Sequence, residues 1–121
     1  MKILKILLFF FLQITLTHAE QKRIVCSLQG LKESISFVMP QKAGELPSVD
    51  FSYPLKTSVF SMREGNLLLI AMDEEDSSRL RIFISAQDKK HKNSYEGQFM
   101  TDSGGNQLQL DNGPTTCTIK G

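Results

Sequence analysis

The 121-residue chain contains no tryptophan, two histidines, two cysteines and four prolines. Each shortage removes a class of function. Zinc needs clustered histidine and cysteine ligands, and so few cannot supply a set. Serine and cysteine hydrolases need a base, most often histidine. Outside the N-terminal segment the only one is His91, inside Lys89-Lys90-His91-Lys92, and no Gly-x-Ser-x-Gly turn exists. Fourteen Lys and Arg against thirteen Asp and Glu leave no basic excess for nucleic acid. No apolar run reaches the ~20 residues of a helical membrane span, and no Asn-x-Ser/Thr acceptor is present.

The N-terminus reads as a targeting segment. Lys2 and Lys5 form a basic start, Ile6 to Leu12 are apolar without interruption, and Thr17-His18-Ala19 places small residues at a cleavage site before Glu20. Residues 1–19 are therefore expected to be a cleaved signal peptide, with one domain over residues 20–121. Glu20 stands where a lipoprotein needs cysteine, so the product is expected in a periplasm or outside the cell, without a lipid anchor. Losing Lys2 and Lys5 turns the formal charge from +1 to −1.

In an oxidising compartment Cys26 and Cys117 are expected to be disulfide-bonded. The bridge would close a loop of about ninety residues, worth ~4–5 kcal/mol in the chain-entropy account.

Between the cysteines, alternation of apolar and polar residues dominates. Ile24, Cys26 and Leu28 share a face; so do Leu31, Ile35, Phe37 and Met39. Val49 to Leu55, Leu80 to Ala86, Tyr95 to Phe99, Leu108 with Leu110, and Cys117 with Ile119 repeat the pattern. Such alternation marks strands with one face buried. Leu67 to Met72 is apolar throughout and reads as a strand covered on both faces. Gly30, Glu64-Gly65-Asn66, Ser103-Gly104-Gly105-Asn106 and Asp111-Asn112-Gly113-Pro114 read as turns. Pro40, Pro47 and Pro54 make Gln41 to Pro54 either an edge strand or a long irregular connection.

The expected fold is all-β: an antiparallel up-and-down meander of about seven or eight strands closed into a small barrel, with a two-sheet sandwich as alternative. The disulfide would link the terminal strands. The expected outward residues are Lys, Ser, Gln, Arg and Thr, which with the absence of Trp excludes a lipid-facing barrel.

Two charged turns stand out. Asp73-Glu74-Glu75-Asp76 and Lys89-Lys90-His91-Lys92 flank one strand and should lie at opposite ends of the domain, about 30 Å apart. The acidic run offers oxygen ligands, but it lacks the alternating spacing of a calcium loop, so it reads as a solvated turn without a metal. These residues are the candidate interaction surface: Asp73, Glu74, Glu75 and Asp76 on one side, Lys89, Lys90 and Lys92 on the other. The expectation is a non-catalytic, monomeric binding module for a protein or small ligand, without cofactor. Inhibition of an exported enzyme through a protruding loop comes second, and a small hydrolase using paired carboxylates third.

Overall fold

The computed structural model describes residues 22–90 and 93–121. The expected signal segment with its junction at Glu20, and His91 with Lys92, lie outside the described residues. Seven strands form one sheet: β1 Arg23–Leu28, β2 Ser34–Val38, β3 Leu55–Arg63, β4 Asn66–Asp73, β5 Leu80–Asp88, β6 Ser94–Asp102 and β7 Leu110–Lys120. Every pairing is antiparallel, and the spatial order is β2-β1-β7-β6-β5-β4-β3. No helix occurs among the described residues.

The sheet curls until its edges approach. β2 and β3 are not hydrogen-bonded to each other, but the rings of Phe37 on β2 and Phe60 on β3 meet edge to face at 5.5 Å. The connection between these strands, residues 39–54, travels along this seam. The Met39 amide donates to the Lys22 carbonyl, the Thr57 hydroxyl to the Pro47 carbonyl at 2.7 Å, and the Glu74 amide to the Pro54 carbonyl. It is an irregular strap, and Val49 to Tyr53 form no strand despite their alternation. Prolines explain that outcome, because each removes a ladder donor.

Cys26 and Cys117 are bonded between adjacent strands, directly opposite in register, with Cα atoms 3.9 Å apart. The Gln29 amide donates to Pro114. Counting alternate pairs from there puts the cysteines at a non-hydrogen-bonded position, where facing side chains approach most closely. The bridge sits in the core with Ile24, Ile35, Phe37, Leu67, Leu69, Ile82, Ile84 and Phe99. That core fills the concave face of the sheet.

Turn chemistry behaves as expected at one hairpin. Glu64 and Gly65 both take positive φ, 54° and 78°, and join β3 to β4 with two residues, the geometry that matches strand twist. Asp111-Asn112-Gly113-Pro114 behaves otherwise, since β7 passes straight through it. Pro114 lies beside Gln29, just beyond the end of β1, so its missing donor costs no bond inside that ladder.

Alternation misplaces a few side chains. Ala71 pairs with Ile82 but Met72 pairs with Leu80, so Arg81 is an extra residue in a β-bulge. The bulge turns Leu80 outward with Met72 and buries Arg81, which keeps 3% of its exposure. Leu108 precedes β7, and Leu108 and Leu110 are exposed rather than inward, at 67% and 55%. β4 is covered on one face only. Leu67, Leu69 and Ala71 are buried, whereas Leu68, Ile70 and Met72 stay partly exposed on the convex side.

The convex face is consequently uneven. Register places Val59, Ile70, Phe83 and Met100 side by side across β3, β4, β5 and β6. Across β7, β1 and β2 the corresponding rows are Thr118, Val25, Ser36 and Thr116, Ser27, Ser34. The β3–β6 half thus carries one apolar row, bordered by Ser61, Leu68, Ser85 and Gln98 in the next, and the other half is mostly hydroxylated.

Candidate functional site

Strand direction sorts the charged residues to two ends. The turn 74–79, the loop 103–109, the β1–β2 turn and the end of the strap share one end; the β3–β4 and β5–β6 turns share the other. The acidic and basic runs are thus kept apart. Lys89 and Lys90 are exposed at the second end.

At the first end the acidic run divides by role. Asp73 Oδ2 accepts the amides of Glu75 and Asp76, and Asp76 Oδ1 accepts both the amide and hydroxyl of Ser78. These are turn-forming bonds typical of aspartate. They hold the carboxyls of Asp73 and Asp76 below the usual range; the Arg81 guanidinium acts most strongly on Asp73, and Ser78 on Asp76. Glu74 and Glu75 are exposed. No three His, Cys, Asp or Glu side chains converge among the described residues.

Behind that turn lies a polar network absent from the sequence expectations. Asp102, at the end of β6, is 1% exposed. Arg79 grips it with two bonds, Nε to Oδ2 at 2.6 Å and Nη2 to Oδ1 at 3.1 Å. Asp102 Oδ1 also accepts the amides of Gly104 and Gln109, each at 3.0 Å. Arg79 beside it, helped by those amides, holds this carboxyl far below the ordinary range against the opposing pull of burial. Arg81 donates from Nε to Asp73 at 2.7 Å and from Nη1 to the carbonyls of Asp102 and Gly104. Its guanidinium lies 4.1 Å above the Tyr53 ring, a cation–π contact. Two arginines therefore tie together the strap, the acidic turn, β6 and the loop 103–109. No buried side-chain nitrogen or oxygen is left unpaired among the described residues.

Gly104 is required by this packing, since a Cβ there would stand 1.9 Å from the Gln107 carbonyl oxygen. One sequence signal pointed here: aspartate directly before Ser103-Gly104-Gly105, a combination that caps turns. Alternation assigned Arg79 and Arg81 to the wet face because it has no means of registering a bulge.

Next to the network lies a cleft that Thr101, Ser103 and Gln109 line on that side, the arginines and Asp102 themselves standing outside its lining. This space of about 840 Å³ opens between the β1–β2 turn, the strap at Asp50 to Ser52, and Thr101, Ser103, Gln109 and Asp111. Leu31, Ile35 and Phe51 give it an apolar part; Glu33, Asp50 and Asp111 bring three carboxylates against Lys32. The volume falls in the range of ligand sites, which mix apolar surface with a few placed polar groups. Comparison with family models, with curated proteins and with solved structures finds no match to this chain.

Proposed function

We propose that this is a non-catalytic binding domain that receives a basic, apolar segment of another protein in the cleft beside Asp50, Phe51 and Asp111. The observation carrying the reading is the cleft itself, acidic in balance and walled by a loop whose amides are fixed on a buried aspartate. A pre-ordered wall loses less entropy on binding than a mobile one. The disulfide suits an oxidising environment, and we place the working site in a periplasm or outside the cell, after removal of residues 1–19.

A second reading is inhibition of an exported enzyme by the strap. It is favoured by the run Gln41 to Leu46, which is exposed throughout and presents Leu46 at 51% exposure.

Short peptides combining lysine or arginine with leucine or phenylalanine, set against acidic peptides of equal apolar content, test the first reading. Amide shifts on titration should gather at residues 31–35, 50–52 and 103–111, with the basic peptides bound more tightly. Asp50→Lys with Asp111→Lys should abolish the preference while the melting temperature holds. Shifts gathered at residues 41–46 would favour the strap, and equal affinity for both peptide types would remove the cleft reading.

A further inference from the structure

The two edge strands, β2 and β3, both run away from the cleft end, so they are parallel to each other. A strand set between them would be antiparallel to both and would complete the barrel. The strap travels in that direction, from the end of β2 to the start of β3. Val49 and Phe51 pack on the core while Ser48, Asp50 and Ser52 are exposed, as in a strand. Among the described residues, however, positions 40–53 make no backbone–backbone hydrogen bond to β2 or β3. The Pro47 carbonyl takes the Thr57 hydroxyl instead. The strap fills the eighth position without a ladder.

β2 is left with a free edge. The Met39 amide donates to the Lys22 carbonyl, which sets the phase of the β1–β2 ladder. Ile35 and Phe37 bond to β1, whereas the N–H and C=O groups of Ser34 and Ser36 point the other way. Among the described residues nothing bonds these outward groups. β2 also carries no charge or proline to blunt its edge. The cleft of about 840 Å³ separates the start of this strand, at Ser34 and Ile35, from the strap at Asp50 to Ser52. Taking the cleft as the receptor for a basic, apolar segment, on which this rests, we propose that the segment binds as an added strand. It lies antiparallel to β2 and bonds to the backbone of Ser34 and Ser36.

The two walls define the ligand's sequence pattern. Ile35 is buried and Phe51 packs on the core, while Ser34 beside the one and Asp50 and Ser52 beside the other are exposed. A strand between them turns every second side chain inward, next to Ile35 and Phe51, and the rest outward, next to Asp50. The inward set is apolar, and the outward set gains from lysine or arginine. The ligand is therefore an extended segment in which basic and apolar residues alternate. Its main-chain bonds supply affinity and its alternate side chains supply specificity. It has no proline at the bonded positions, because it must donate where the strap does not.

Two peptides of identical composition test this on the disulfide-bonded protein, one alternating lysine with leucine and the other holding them in separate blocks. The alternating peptide should bind at least about tenfold more tightly, since only period two sorts its side chains between the two sides. At saturation the Ser34 and Ser36 amides should exchange at least about tenfold more slowly. Ile35 and Phe37, already bonded to β1, should not change. N-methylation of alternate peptide residues should abolish binding in one phase and spare it in the other. Ser34→Pro removes an outward donor at the first position of an edge strand, where proline is tolerated. It should weaken the alternating peptide while the melting temperature holds. Basic peptides that bind regardless of residue order, with the Ser34 and Ser36 amides unaltered, would overturn strand addition and leave the cleft reading standing. Acidic peptides bound as tightly as basic ones would remove both.

Discussion

The two ends of the sheet use charge in opposite ways. At the cleft end Arg79, Arg81, Asp73 and Asp102 bond to one another and to backbone, and Arg81 and Asp102 are almost wholly removed from water. At the other end Lys89 and Lys90 extend into solvent from a turn in which Lys90 and Asn93 take positive φ. The first end is a frame whose removal should be costly; the second carries charges that water already solvates. A buried charge matters because water cannot replace a lost partner, whereas a solvated one contributes little to stability.

Reduction of Cys26–Cys117 should act on both ends alike and most strongly. The bridge joins strands that run the full height of the sheet across 91 positions of sequence, so its loss should lower unfolding free energy by ~4–5 kcal/mol. Denaturant melts with and without reductant check this. Next comes Asp102→Ala, which leaves Arg79 without its carboxylate and frees two amides. The expected destabilisation is about 3–5 kcal/mol, as for a broken buried ion pair, with the change confined to the cleft end. Acid should mimic part of it. The Asp102 carboxyl titrates far lower folded than unfolded, so its stabilisation is complete above the ordinary carboxylate pKa. It is lost as pH falls through and below about 4 toward the folded value. Melting temperature should hold across neutral pH and decline in that acid range, and the decline should be shallower in Asp102→Ala. Lys89→Ser with Lys90→Ser should shift stability by no more than about 0.5 kcal/mol. A loss comparable to that of Asp102→Ala would erase the distinction between the ends.

Much of the frame is visible in the amino-acid order. Period-two alternation locates the cores of β1, β2, β5 and β6, and Glu64-Gly65 locates a hairpin. The cysteines tie the terminal strands together, either side by side or across the core, and the pairing of β1 with β7 decides for the first. What the order hides is any property set by pairing. A single extra residue at Arg81 reverses which neighbours face inward. Asp111 to Pro114 looks like a turn until β1 is seen to end beside it. Leu68, Ile70 and Met72 look like one wall of a double-sided core until the sheet curls and leaves them outside. The arginine–aspartate network is hidden for the same reason: Arg79 and Asp102 are 23 residues apart and meet only when β5 and β6 are in register.

Native-state hydrogen exchange at four amides tests the contrast directly. Gly104 and Gln109 donate to the buried Asp102 carboxylate, while Lys90 donates to the exposed Asp88 side chain and Asn93 lies in the same exposed turn. Gly104 and Gln109 should exchange far more slowly than Lys90 and Asn93. In Asp102→Ala they should speed up selectively, with the core amide of Ile84 still protected. Loop amides that exchange in the wild type as fast as Lys90 would contradict the account, since the cleft would then have no fixed wall.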